Sequence, residues 1–163
     1  MQDADELTSY RPNVAAVILS ERYPEFCEFF IAKRNDIKRT KCIWQFPQGG
    51  IDNGESPQEA LYRELGEEIG TNDIEILAEY PQWLKYDFPK GNIQTKMYPY
   101  KGQMQRYFLV KLKSDSKINL ATEIPEFIEH KFVPFDSILL NVVYFKRRIY
   151  KKVLEYFKKE GYI

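Results

Sequence analysis

One helix of this chain is marked at both ends by its sequence, and it carries an unusual charge pattern. The stretch from residue 56 to residue 70 reads SPQEALYRELGEEIG. Ser56 is a favourable N-cap residue, Pro57 suits the first helical position, and Glu59 completes an S-x-x-E capping box. Gly70 can adopt the left-handed conformation that ends many helices. The sequence therefore predicts a helix between Ser56 and Gly70.

The predicted helix has an apolar stripe and, beside it, three glutamates. The stripe consists of Leu61, Leu65 and Ile69. Its period predicts a face packed on the core, with Glu64, Glu67 and Glu68 at the border between that face and solvent. Like charges three or four residues apart on a helix destabilise it by roughly 0.2–0.5 kcal/mol per pair. Arg63 can neutralise one side of this cluster, but the gathering of carboxylates still requires an explanation.

The glutamate cluster has two interpretations. An acidic, solvated helix face is the usual meaning of such a run. The preceding residues Gly49 and Gly50 favour a second one, because paired glycines after a strand permit close approach of the backbone and an outward carbonyl. An all-oxygen cluster beside such a carbonyl suits Mg²⁺ or Mn²⁺ rather than zinc. Such cations bridge phosphate oxygens, so this interpretation predicts chemistry on a phosphoanhydride bond.

Composition restricts the remaining possibilities. With 163 residues, 44% hydrophobic and 29% charged, the chain is expected to form a single domain over residues 1–163. No secretory signal or membrane-length apolar run is visible, so a soluble cytoplasmic protein is expected. Cys27 and Cys42 are expected to be buried thiols. His130 lies in an alternating segment where a structural role is favoured, and a metal site built mainly of imidazoles is excluded because the chain has one histidine.

The alternation of apolar and polar segments predicts a mixed α/β protein with a sheet between helices. Strands are predicted at 13–20, 28–34, 43–46, 105–112 and 130–135, with a further extended segment at 74–86. A C-terminal helix is predicted at 145–160, and a polar, aromatic and basic loop at 87–102. That loop either covers a cleft or connects strands.

The glycine pair and the glutamate helix together resemble the Nudix box, G-x5-E-x7-R-E-U-x-E-E-x-G-U. The match starts at Gly49, passes through Glu55 and continues through RELGEEIG; the one departure is Thr71 at the final aliphatic position. The segments YRPNVA, WQFPQGGI, WLKYDFPK, GQMQRYFLV, PEF and VVYFKRRIY resemble the bacterial RNA pyrophosphohydrolases, which are also described as dinucleoside polyphosphate hydrolases. This similarity covers nearly the whole chain.

The resemblance implies a fold, an activity and a set of metal ligands. The family fold is an α/β/α sandwich with a mixed central sheet. Its members use divalent cations to direct water onto a polyphosphate, and the RNA enzymes leave a 5′ monophosphate. The implied ligands of Mg²⁺ or Mn²⁺ are Glu64, Glu67, Glu68, Glu126 and the Gly49 carbonyl. Glu64 or Glu67 is also implied in activating water, and Glu126 as an additional ligand or base.

The same resemblance implies structural and substrate-binding residues. Glu55 and Arg63 are expected to pair and attach the loop to the helix, with Gly50 and Gly70 as further structural positions of the box. Arg11, Arg34 and Lys146 are expected to face 5′ phosphates, and Val143, Phe145 and Tyr86 the first bases.

Charge separates along the chain although the formal net charge is zero. Residues 50–70 contain six acidic residues and one arginine, whereas residues 141–163 contain seven basic residues and two acidic ones. Most of the basic tail is expected to be the solvated side of an amphipathic helix. For Arg34 an exposed strand-end cation is the alternative.

Three functions therefore remain in competition. The leading hypothesis is hydrolysis of 5′-triphosphorylated or 5′-diphosphorylated RNA, which promotes mRNA decay. Asymmetric hydrolysis of a dinucleoside polyphosphate such as diadenosine tetraphosphate would use the same metals and mechanism. A Nudix-shaped module that binds a nucleotide without cleaving it is disfavoured by the intact glutamate set. The sequence does not reveal an obligate protein partner, and no membrane association is expected.

Overall fold

The computed structural model describes residues 9–35, 44–89, 97 and 99–163, and the structural statements below concern those residues. Its strands are β1 (Tyr10–Leu19), β2 (Glu28–Arg34), β3 (Trp44–Gln45), β4 (Gln48–Gly50), β5 (Ile74–Glu79), β6 (Leu84–Asp87), β7 (Gly102–Leu112) and β8 (Phe127–Pro134). Its helices are α1 (Pro57–Ile69), α2 (Phe135–Asn141) and α3 (Arg147–Lys159), with a 3-10 turn at Tyr144–Lys146. None of the helices in these described ranges has the length and apolar character needed to cross a membrane.

The strands form one mixed sheet around a long parallel pair. The main order is β3-β2-β1-β7-β5, while β4 pairs with β1, β6 with β7 and β8 with β2. β1 runs parallel to β7 from Tyr10↔Gly102 to Leu19↔Lys111. The other strand pairs are antiparallel. The sequence-based prediction of a mixed central sheet is confirmed.

Both faces of the sheet are buried, which explains why β1 reads as a continuous apolar run. Successive side chains of a strand point to opposite faces. Ala15, Val17 and Leu19 pack into the core beneath α3. The alternate residues of β1 pack into the core beneath α1; they are Val14, Ala16 and Ile18. Helices therefore cover both faces of the sheet, as expected for an α/β/α sandwich.

Helix α1 begins and ends where its sequence predicts. The Ser56 Oγ accepts a hydrogen bond from the backbone N–H of Glu59 at 3.1 Å. Gly70 follows the last turn with φ of 74°, in the left-handed region. The backbone N–H of Asn119 donates to the carbonyl of Ile69 at 2.8 Å, which attaches the end of α1 to the segment after β7.

Several local predictions were incomplete. Gly49 and Gly50, predicted as a loop, belong to β4 because they pair with β1. The extended segment at 74–86 is divided between β5 and β6. Helix α2 was not predicted, and it starts at the last residue of the strand predicted at 130–135. Its seven residues contain one buried side chain, Ile138, so its periodicity is weak.

Other predictions fall partly outside the described residues. Within the predicted loop at 87–102, residues 90–96 and 98 lie outside the described part of the chain, as do Ile43 and Cys42. The role of that loop stays a prediction. Cys27, expected to be buried, is exposed in the turn between β1 and β2, so this prediction was wrong.

Substitutions of Gly66, within α1, and of Gly70, which follows α1, are expected to have opposite effects on stability. Gly66→Ala raises the free energy of unfolding by about 1 kcal/mol, because alanine is the better helix former and nothing lies within 4 Å of the added Cβ. Gly70→Ala lowers it by at least about 1–2 kcal/mol, since the backbone is left-handed and the new Cβ would lie 2.4 Å from the carbonyl oxygen of Asn119. Urea denaturation of both variants checks this pair. Equal effects of the two substitutions would contradict the described end of the helix.

Candidate functional site

A single arginine attaches helix α1 to the end of β4. The Arg63 guanidinium donates two hydrogen bonds to Glu55, from Nε and Nη2, each of 2.8 Å. The same Nη2 donates to the carbonyl of Gly50 at 2.8 Å. Nη1 donates to Glu64 at 2.9 Å and to Glu67 at 3.3 Å. Hydrogen bonds from Arg63 hold the pKa of Glu55 down to about 2, so this structural pair stays ionised at neutral pH.

Three carboxylates converge beside this arginine. Glu64 and Glu68 come from α1, and Glu126 comes from the segment before β8. Glu68 is 2% exposed, and its carboxylate accepts a hydrogen bond from the backbone N–H of Gln48 at 3.2 Å. Burial, followed by the hydrogen bond and charge of Glu126, raises the pKa of Glu68 well above its usual value. Burial also raises the pKa of Glu64, to about 7, against the opposing effect of Arg63.

The position of Glu67 differs from that of the other two glutamates on α1. Its side chain is 60% exposed and contacts Arg63, whereas Glu64 and Glu68 line a cleft. Glu67 lies one turn beyond Arg63 on α1, outside the cluster formed by the other three carboxylates. The structure thus brings Glu64, Glu68 and Glu126 together, with Glu67 beside them.

Gly49 gives Glu64 the space it occupies. A Cβ added to Gly49 would lie 1.9 Å from the Glu64 carboxyl carbon. Gly49 pairs with Val14 across the β1–β4 ladder. A carbonyl oxygen has two lone pairs, so a carbonyl bonded within a ladder retains one for a further ligand. Only glycine permits this contact between backbone and carboxylate.

The donor set fits a hard divalent cation. Buried carboxylates with raised pKa values are costly unless an opposite charge neutralises them, and Mg²⁺ and Mn²⁺ bind carboxylate and carbonyl oxygens. Within the described ranges, no three acidic, imidazole or thiol side chains already stand in a metal-binding arrangement. Arg63 contacts Glu64 and Glu67, and Glu68 accepts from Gln48. Metal binding therefore requires these side chains to turn away from their present partners, and it requires Glu64 and Glu68 to lose protons.

The carboxylates lie at one side of a cleft of about 420 Å³. All six residues predicted to bind substrate also line it: Arg11, Arg34, Tyr86, Val143, Phe145 and Lys146. Gly49, Gly50, Glu64, Glu68 and Glu126 line it as well. Glu67 and the structural residues Glu55, Arg63 and Gly70 are outside this lining. Residues spread from β1 to the start of α3 thus meet in one place.

The two arginines of the cleft lie near the hydroxyl of Tyr86. Burial raises the pKa of Tyr86, and the charges of Arg34 and Arg11 oppose this increase. Arg11 packs against Gly50, where a Cβ would lie 2.2 Å from its Nη2. The cleft is therefore lined by carboxylates and by guanidinium groups. Such an arrangement can bind cations and a chain of phosphates at once.

Aromatic side chains line the mouth of the cleft. The ring centroids of Phe145 and Tyr86 are 5.9 Å apart. Tyr144 lies edge-on to Phe145, with centroids 5.6 Å apart, and is 70% exposed. Sequence reasoning did not single out Tyr144; its signal was its position between Val143 and Phe145.

A network of buried amides beneath the cleft was also missed. Asn13, Gln45, Gln103 and Gln105 are at most 4% exposed, and they bond to one another, to Gln48, to Lys146 or to Tyr86. A sequence signal existed: two glutamines at alternate positions of an apolar strand point to the same face. Their partners, however, are distant in sequence.

This chain is similar to known proteins over most of its length. A NUDIX domain model matches residues 9–153. An RNA pyrophosphohydrolase of Nitratiruptor is 63% identical over 157 residues, covering 96% of this chain and 99% of that protein. One of Helicobacter pylori is 57% identical over 154 residues, covering 94% and 97%.

Solved structures show the same fold at low identity. A C. elegans Ap4A hydrolase matches with a TM-score of 0.65 and 20% identity, over 90% of this chain and 96% of that one. The dihydroneopterin triphosphate pyrophosphohydrolase of E. coli matches with a TM-score of 0.67 and 15% identity, over 91% and 96%. Since the domain model covers most of the chain and curated relatives are more than half identical, this chain belongs to the Nudix family.

Proposed function

We propose that this chain is a divalent-metal-dependent RNA pyrophosphohydrolase. It removes pyrophosphate, or phosphates stepwise, from the 5′ end of triphosphorylated or diphosphorylated RNA and leaves a 5′ monophosphate. The observation that carries this proposal is one cleft lined by clustered carboxylates together with cationic and aromatic side chains. Relatives named RNA pyrophosphohydrolase support the choice of substrate. The reaction takes place in the cytoplasm and promotes mRNA decay.

The acidic side of the cleft binds the metal. We assign Mg²⁺, or Mn²⁺, to Glu64, Glu67, Glu68, Glu126 and the carbonyl of Gly49. Divalent ions at such a site neutralise phosphate charge and make bound water nucleophilic at neutral pH. Glu64, Glu67 or Glu126 takes the proton of the attacking water. Glu55 and Arg63 do not contact substrate; their bidentate pair keeps α1 against β4.

The opposite side of the cleft binds the 5′ phosphates and the first bases. Arg11 and Arg34 offer planar guanidinium groups, which match two phosphate oxygens at once. Lys146 supplies a third cationic group beside them. Phe145, with Val143 next to it, offers an apolar surface for a base, as is common in RNA recognition. This division separates the reacting phosphates from the part of the RNA that is read.

The first prediction concerns the substrate. Incubation of the protein with 5′-triphosphorylated RNA and Mg²⁺ releases pyrophosphate or phosphate and leaves monophosphorylated ends. In parallel, kcat/KM is measured on diadenosine tetraphosphate, because the same metals and mechanism serve asymmetric hydrolysis of a dinucleoside polyphosphate. A higher kcat/KM on RNA is expected. If control enzymes are active but this protein releases nothing from RNA, the proposal is wrong. If kcat/KM is higher on diadenosine tetraphosphate than on RNA, the protein is instead a dinucleoside polyphosphate hydrolase.

The second prediction separates metal binding from folding. Glu67→Gln lowers kcat at least about a hundredfold, since loss of even a residue that orients a ligand costs 10–100-fold. Its free energy of unfolding changes by less than about 0.5 kcal/mol, because the side chain is 60% exposed. Glu59→Gln, an isosteric change at another exposed position of α1, is the control and keeps wild-type activity. Near-normal turnover of the Glu67 variant would show that this residue is not a metal ligand.

The third prediction concerns the contact between Gly49 and Glu64. Gly49→Ala displaces the Glu64 carboxylate, since the new Cβ would lie 1.9 Å from its carboxyl carbon. Misplacement on this scale can cost about a hundredfold in rate, and the Mg²⁺ concentration for half-maximal activity rises. Steady-state kinetics against Mg²⁺ measure both. Gly66→Ala, whose Cβ meets nothing within 4 Å, retains activity. If the Mg²⁺ concentration for half-maximal activity does not change in the Gly49 variant, Glu64 is not a metal ligand.

A further inference from the structure

One buried cation fixes the direction of a hydrogen-bond network beneath the cleft. Lys146 is 3% exposed. Its Nζ donates to Oε1 of Gln48 at 2.8 Å and to Oε1 of Gln45 at 3.2 Å. An ammonium group has three hydrogens and no acceptor. Both glutamines therefore present their oxygen, and not their nitrogen, to Lys146.

This orientation passes through two further amides. The oxygen of Gln48 also accepts from Nε2 of Gln105 at 3.1 Å. The same Nε2 donates to Oδ1 of Asn13 at 2.8 Å. Asn13 then uses its nitrogen to donate to Oε1 of Gln103 at 2.7 Å. Because an amide accepts at one end and donates at the other, the orientation of each member determines that of the next.

The network ends at the hydroxyl of Tyr86. Nε2 of Gln103 is the only end of that amide left to donate, and it donates to the Tyr86 oxygen at 2.9 Å. A phenol that accepts in this way still has its own hydrogen to donate. The phenol also has a hydrogen bond with the side chain of Gln48. Because the Gln48 oxygen already accepts from Lys146 and Gln105, its nitrogen is the end that donates to the Tyr86 oxygen. Tyr86 lines the cleft. Arg11 and Arg34, which act on the pKa of this phenol, lie on the same side.

The ring of Tyr86 is already in contact with other side chains. Phe88 meets it edge to face, with centroids 6.2 Å apart, and Phe145 lies tilted against it at 5.9 Å. The Nζ of Lys146 is 5.8 Å from its centroid. The sequence-based prediction was that Tyr86 faces a base. Because its ring is already in contact with these side chains, Tyr86 is better placed to bind substrate through its hydroxyl.

We propose that Tyr86 binds substrate through its O–H group, which donates to a phosphate oxygen, and that Gln103 is the positioning residue that directs this hydrogen into the cleft. A hydrogen bond to a charged phosphate oxygen is stronger than a hydrogen bond between two neutral groups. Through the amide network, the charge of Lys146 thus determines the direction in which the neutral Tyr86 hydroxyl donates its hydrogen bond. This inference rests on the proposed function, because it assumes that the ligand contains a phosphate chain.

A double-mutant cycle tests the proposal with two readouts. KM and kcat are measured on 5′-triphosphorylated RNA with Mg²⁺, and binding of inorganic imidotriphosphate, a phosphate chain that resists hydrolysis, is measured by calorimetry. Tyr86→Phe raises KM and the dissociation constant about tenfold, with kcat nearly unchanged. Gln103→Met raises both at least threefold. In the Tyr86→Phe background Gln103→Met adds nothing, because the hydroxyl it directs is gone.

Controls separate positioning from loss of structure. Tyr10→Phe removes another buried phenol, which donates to Asp87 at 2.5 Å, and it leaves both constants unchanged. Melting temperatures are recorded for every variant. If Gln103→Met does not fold, Asn13→Ser interrupts the network one residue earlier and replaces it in the cycle.

Each alternative outcome is decisive. Tyr86→Phe without effect, or Gln103→Met without effect on a folded protein, overturns the proposal. Additive losses in the double variant also overturn it, since Gln103 would then affect binding independently of the Tyr86 hydroxyl. If the wild type binds imidotriphosphate with the expected pattern but releases nothing from RNA, the RNA substrate is wrong and the role of Tyr86 stands.

Discussion

The contacts of one guanidinium group position the glutamate-bearing helix of this protein. Arg63 bonds to Glu55 twice, to the carbonyl of Gly50, and to Glu64 and Glu67. Without it, α1 would present several carboxylates to each other and to the end of β4 with nothing to offset their repulsion. With it, the helix is fixed against a strand that is itself paired to the centre of the sheet. The acidic cluster can then remain buried and close to Gly49.

Local signals in the sequence were sufficient for the elements whose structure is decided locally. The ends of α1 follow from Ser56 and Gly70, whose conformations depend on neighbouring residues. The apolar runs of β1 and β2 follow from burial on both faces of the sheet. β4 could not be predicted in this way, because its three residues are a strand only through their pairing with β1.

The candidate site shows the same division between local and distant information. The glutamates of α1 are visible from their spacing, and the metal they suit follows from their chemistry. That Arg11, Arg34 and Lys146 share a cleft with them came from resemblance to a family, since nothing local relates these positions. The orientation of the Gln103 and Gln105 amides could not be predicted from the sequence. An amide can accept at one end and donate at the other, so its direction depends on partners that are known only from the structure.

The parallel pairing of β1 with β7 has a consequence for how the protein is made. Asn13 and Gln103 are 90 residues apart in sequence, and Gln48 and Lys146 are 98 apart. Contacts of such separation form only after long segments have been closed, which slows folding. During synthesis from the N-terminus, the glutamate helix leaves the ribosome well before the lysine that completes the opposite wall. The cleft therefore stays incomplete until Lys146 has been translated, and a product that ends before this residue lacks part of the cleft lining.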